Sequence, residues 1–219
     1  GLPNVVHVPH LGASTHEAER DVGIQIVGQV VAALRGTDYT YAVNMPFELE
    51  GDYATVRRGL PQIIEVLRRI ERPVVLVCGN SETDLELREA CRGWPQAHVL
   101  HGTSVTIDGV PFFGLGGAVP VTPFGPWSYD LSEQEAEALL QDCPSGGILV
   151  THSPPKGLLD LSFSGQNLGS TAIRAVVERT APALVVCGHI HESGGRWARW
   201  KSTVVLNAGP AGIEWELEP

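Results

Sequence analysis

The sequence predicts an α/β (α+β) chain in which a mixed sheet system is flanked by helices. Three observations lead there. Short apolar, largely β-branched runs recur at residues 74–77, 148–151 and 184–186, each the length of a buried strand. Helical patterns lie between them, each opened by a residue able to cap free amides. Beyond residue 196 only short strand candidates remain, so alternation gives way to hairpins. The chain has 219 residues, 43% of them hydrophobic, enough for one substantial core or one domain plus an appendage.

In chain order, residues 5–8 form a short strand candidate, followed by a turn through Pro9, His10, Leu11 and Gly12. Ser14 and Glu17 have capping-box spacing, and Val22, Ile26, Val30 and Leu34 continue an apolar helical face that Gly36 suits as a stop. That face requires a partner surface. Pro61 is placed to begin a helix carrying Ile63, Ile64, Leu67 and Ile70. A strand from Pro73 to Cys78 runs into a polar turn, and Thr83 or Asp84 can cap a helix to Cys91. Asp108 and Gly109 sit between the runs 105–107 and 111–113, a hairpin signal. Ser132 and Glu135 make a second capping box, and Ser170 or Thr171 caps a helix to about Arg179. Strands near 197–200, 204–207 and 213–217 end the chain.

Composition narrows the partners and the compartment. Lys and Arg total 15 against 25 Asp and Glu, a formal charge of −10, which argues against a surface for nucleic-acid phosphates. Cys78, Cys91, Cys143 and Cys187 are far apart with no CxxC pair, so reduced core thiols and a cytoplasmic protein are expected. No stretch has the pattern of a membrane span or a signal peptide. A sequence opening on Gly1 reads as a fragment or a processed chain. Oligomeric state is not legible.

Chemistry concentrates where strands stop. Asn80 follows Gly79, His152 follows Thr151, and His189 and His191 follow Gly188, while Asp52 stands in a Gly-Asp pair. A strand end is a rigid mount, and a His-x-His pair leaving one can aim both rings at a single point. Neutral imidazole suits zinc, iron and manganese. Each residue alone has an ordinary reading: Asp52 and Asn80 as turn residues, His152 as a satisfied histidine, His189 and His191 as polar loop side chains. Five such residues following strands and glycines, in one chain, favour a shared metal centre.

These motifs resemble those of the calcineurin-like metallophosphoesterases, marked in order by Asp-x-His, Gly-Asp, Gly-Asn, a strand-end His and Gly-His-x-His. Gly51-Asp52, Gly79-Asn80, His152, and Gly188-His189 with His191 match in that order, and Asn207 to Pro210 resembles the closing turn. The resemblance runs from about Phe47 to the C-terminus. It implies a four-layer αββα sandwich and hydrolysis of a phosphomonoester or phosphodiester, a small phosphate-ester substrate, by a metal-bound hydroxide. It further implies one or two divalent ions (manganese, iron or zinc). Asp52 would bridge them, Asn80, His152 and His189 would complete one shell, and His191 would serve the other; Asp52, Asn80 and His152 carry the catalysis. The family's first motif is missing, and Ser81 stands where a His often follows Gly-Asn. An incomplete second site and weak activity follow from that. A non-catalytic or single-metal remnant is the alternative.

The opening segment, residues 1–46, resembles another family. Asn4-Val5-Val6, Pro9-His10-Leu11-Gly12-Ala13 and Ala42-Val43-Asn44-Met45-Pro46 resemble the end of the NAD-binding domain of phosphoglycerate dehydrogenase, where the residue matching His10 is the acid/base. The chain has no GxGxxG between a strand and a helix, so an oxidoreductase fragment is the weakest reading. The expected organisation is a strand–helix unit at residues 1–46 substituting for the family's first strand and helix, ahead of a phosphoesterase domain at 47–219. Such a substitution makes His10 a possible surrogate ligand, and the join reads as a gene rearrangement, a chimera or a mispredicted frame.

Overall fold

The computed structural model of the chain describes residues 59–216, and Asp52, His10 and the whole of the 1–46 unit lie outside them. In chain order the elements are α1 (Gly59–Leu67), β1 (Val74–Leu76), α2 (Asp84–Ala90), β2 (Ala97–Val99), β3 (Thr103–Ile107), β4 (Val110–Leu115), α3 (Glu133–Leu139), β5 (Ile148–Thr151), α4 (Thr171–Thr180), β6 (Leu184–Cys187), β7 (Arg196–Trp200) and β8 (Thr203–Asn207). β1 and β2 pair in parallel, and the other six strands form one mixed sheet in the order β3-β4-β5-β6-β8-β7.

Four central strands of the large sheet run parallel, in a register that sets Phe113, Leu149, Val185 and Val205 side by side. With Leu115 they meet Ala136 from α3, Leu140 at its C-cap, and Ile173, Val176 and Val177 from α4 in one buried cluster. The intervening residues Ile148, Leu184, Val204 and Leu206 build a second cluster on the opposite face, as strand alternation demands. Both faces are covered, which is why these strands read as unbroken apolar runs.

β4 is thinned by glycine where the small sheet approaches it. A Cβ on Gly114 would come within 2.9 Å of Val77, and one on Gly116 within 2.7 Å of the backbone N and O of Cys78. Helices α1 and α2 cover the small sheet through Ile64 and Leu87, with Cys91 and Trp94 from the exit of α2, packed against Val74, Leu76, Ala97 and Val99. Helices, sheet, sheet, helices is thus the layering of this α/β sandwich.

Local chemistry sets most boundaries. Thr83 and Ser132 cap α2 and α3, each in a full capping box with Glu86 and Glu135 respectively. Asp108 and Gly109 take φ of 49° and 82°, the two left-handed positions of a hairpin turn matched to strand twist. Four points differ from expectation. Helix α1 starts at Gly59, so Pro61 lies inside its first turn. Ile63 is 59% exposed and Ile70 38%, leaving Ile64 as the buried anchor of that face. β2 was not expected, because Ala97, His98 and Val99 make a strand only by pairing with β1; residues 213–216 form none.

Candidate metal centre

The parallel strands β5 and β6 end at the same edge, and their exits stay laddered. His152 N donates to Leu115 O at 3.0 Å, Gly188 N to His152 O at 3.0 Å, and Ala208 N to Cys187 O at 2.8 Å. The carboxyl edge of a parallel sheet is where open α/β folds place ligands. Here it carries His152, two residues of the His-x-His motif and Asn207. Asn80 arrives from the turn after β1.

Three of the sequence-predicted residues come together. Asn80 Oδ1 lies 3.1 Å from His152 Nε2, and the His152 and His189 rings are 4.7 Å apart between centroids. Burial pushes His152 down to about 3, helped by the nearby His189 and His191 charges, while Asp130 opposes the shift. Burial likewise lowers His189, with Asp130 again opposing and His191 adding. Both rings are therefore neutral near pH 7, the protonation state in which imidazole can ligate a metal.

These donors fit a divalent ion. Two ligand atoms on adjacent corners of an ion with bonds of about 2.1 Å sit about 3 Å apart, close to the 3.1 Å between Asn80 Oδ1 and His152 Nε2. One amide oxygen and two neutral imidazoles bring no negative charge, and a carboxylate would add it. Among the described residues no three His, Cys, Asp or Glu side chains gather as a ligand group. Asp52 is the candidate the sequence offers. His191 opens a short helical turn, His191–Ser193, and is exposed.

His189 sits in a strained conformation that the surroundings impose. Its φ is 62°, and Ile190 N donates to Gly188 O at 2.7 Å, closing a tight three-residue turn about the histidine. Left-handed backbone costs a non-glycine residue on the order of 1–2 kcal/mol. Asn207, wholly buried, holds the turn shut: its Nδ2 lies 3.3 Å from Gly188 O, 3.0 Å from Ile190 O and 3.1 Å from Leu159 O. Sequence reading passed Asn207 over as part of a closing turn. Its signal was a polar residue ending the apolar run of β8.

An α/β sandwich with imidazole and amide donors at the carboxyl ends of its parallel strands is the class defined so far. The calcineurin-like phosphoesterase superfamily domain matches residues 49–219, and the chain belongs to that superfamily. It is 36% identical over 106 residues to the UPF0046 protein K07C11.7 of Caenorhabditis elegans, covering 48% of this chain and 36% of that one. It is 34% identical over 114 residues to the human metallophosphoesterase domain-containing protein 1, covering 48% of this chain and 33% of the relative. The chain thus spans about a third of the length of these relatives. Among solved structures, TT1561 of Thermus thermophilus superposes with a TM-score of 0.55 at 18% identity over 72% of each chain, a likeness of fold. Another crystal structure reaches 0.59 at 18% identity, over 72% of this chain and 65% of that one.

Proposed function

We propose that this chain hydrolyses a small phosphate ester, mono- or diester, at Asn80, His152, His189 and Asp52, with one divalent ion (manganese, iron or zinc) held well and a second held poorly. The observation that carries this reading is the pairing of Asn80 Oδ1 and His152 Nε2 at 3.1 Å beside His189. A bound divalent ion would supply Lewis acidity toward a phosphoryl oxygen and acidify a water. The residues supply the rest. Asn80, His152 and His189 present lone pairs from rigid strand exits, Asp52 adds the negative charge they lack, and His191 offers a ligand toward the second ion. His189, locked in its left-handed turn, keeps its ring aimed without reorganising as substrate arrives. The proposed organisation is a strand–helix unit at residues 1–46 and a phosphoesterase domain at 47–219, in a cytoplasmic chain. Among the described residues no helix is long and apolar enough to cross a membrane.

The test is metal content per chain together with turnover of an aryl phosphodiester. Wild-type protein is expected to retain about one ion per chain through gel filtration, and His189→Ala to lose it along with turnover. Unchanged metal content in His189→Ala would overturn the assignment. A single-metal binding role is the second reading, favoured by Ser81 standing after Asn80 where the family often has His. Stoichiometric metal with no turnover of any phosphate ester would decide for it.

A further inference from the structure

Asn80 can serve as a ligand only if its oxygen, not its nitrogen, faces His152, and nothing in an amide's shape decides between the two. The decision is made on the far side. Asn80 Nδ2 donates to Ser128 Oγ at 2.9 Å. Ser128 has one hydroxyl proton, and Oγ spends it on Asp130 Oδ1 at 2.5 Å. Asp130 is itself pinned, its Oδ2 accepting from both N and Oγ1 of Thr122 at 2.6 Å. The backbone fixes the register of the same segment: Tyr129 N donates to Asn80 O at 2.7 Å, and Ala118 and Leu131 bracket it through Tyr129 O and Ala118 O.

We propose that Ser128 and Asp130 are positioning residues that set the orientation of the Asn80 amide and thereby make Oδ1 available to the metal. A carboxylate only accepts, so Ser128 must donate to Asp130 and can only accept from Asn80. The amide must then present its NH2 to Ser128 and its oxygen to His152. A chain of two hydrogen bonds thus writes the polarity of Asp130 onto the ligand. Partners in the second layer of a metal site commonly govern affinity in this way. The inference rests on the phosphoesterase reading for its functional weight, yet the amide orientation is testable without any metal.

Two readouts are taken on the full chain. The first is the tautomer of His152 in metal-free protein, from ring 15N shifts of 15N-histidine-labelled protein. The second is the affinity for divalent manganese alone. Wild type is expected to carry its His152 proton on Nε2, donating to Asn80 Oδ1. In Asp130→Asn the new amide can donate to Ser128, the hydroxyl turns, and Asn80 flips. The His152 proton then moves to Nδ1, and manganese affinity falls about 10-fold or more. Ser128→Ala is expected to weaken manganese binding similarly, whereas Ser128→Thr keeps the hydroxyl and restores both readouts. Thr122→Val removes one bond to the same carboxylate without touching Ser128, and should bind manganese as wild type does. The proposal falls if Asp130→Asn leaves the tautomer and the manganese affinity unchanged. It also falls if Ser128→Thr is as impaired as Ser128→Ala, or if Thr122→Val is as impaired as Asp130→Asn. A wild type that takes up no manganese while the tautomer responds as described overturns the phosphoesterase reading and leaves the amide orientation standing.

Discussion

At the scale of single residues, the cost of replacing a side chain is set by what it leaves unpaired or what it collides with. Asn207 is fully buried, with Nδ2 facing the carbonyls of Leu159, Gly188 and Ile190 while Oδ1 accepts from Gly209 N. Asn207→Ala strands these groups in the interior, a penalty of about 1–3 kcal/mol for each one left unsatisfied. Urea unfolding should show a loss on the order of 3 kcal/mol or more, with weakened metal retention because the His189 turn relaxes. Gly116→Ala meets backbone atoms of Cys78, which cannot rotate away as a side chain can. Overpacking of this kind costs about 1–3 kcal/mol, and thermal melting should report it as a clear drop in midpoint. The cysteines behave oppositely. All four are buried, and burial pushes Cys78 and Cys187 up to about 12. Native protein at pH 8 should therefore be nearly inert to a thiol-reactive disulfide, with four thiols titrating once it is denatured.

At the scale of elements, α3 and α4 are joined by a carboxylate that belongs to one and caps the other. Glu133, in the first turn of α3, accepts from Ser170 Oγ at 2.7 Å, Thr171 N at 2.9 Å and Ala172 N at 2.8 Å, all at the start of α4. Partial burial pushes its pKa up, but these hydrogen bonds outweigh that and hold it below its ordinary 4.5. A folded-state pKa below the unfolded one means the stabilisation is present above the unfolded value and is lost as pH falls through the folded value. The Glu133→Gln protein should thus be less stable than wild type at pH 7, by on the order of 1–2 kcal/mol. The gap should close as pH falls below the ordinary 4.5 and through the lowered folded value, in paired denaturation curves. A gap that does not change with pH would show packing rather than charge to be responsible.

At the scale of the whole molecule, the expectation concerns how activity follows metal. The family's first motif contributes an aspartate and a histidine that this sequence does not repeat at its opening, and losing a carboxylate removes charge as well as a bond. On the proposed reading, in which the second ion is held poorly, its occupancy follows concentration over a large dissociation constant. Turnover of an aryl phosphodiester should be near background at micromolar manganese and still be climbing in the millimolar range. Full activity with one equivalent of metal would overturn the weak second site.

The sequence by itself determined the central strands β5 and β6, because a strand covered on both faces reads as an apolar run, and 148–150 and 184–186 do. It determined the hairpin at Asp108 and Gly109 and the caps at Thr83, Ser132 and Ser170, since these follow from local hydrogen bonding and φ alone. It also named Asn80, His152 and His189 from their places after strands. Tertiary structure decided the rest. β2 exists because β1 offers it a partner, and packing against the small sheet chose Ile64 over Ile63 as the buried residue of α1. The contacts of Asn207 and Ser128 join atoms 17 to 48 residues apart in sequence and within 3.3 Å in space. No local pattern encodes such a pairing: the energy that fixes it comes from burying groups whose partners are chosen only when the strands pack.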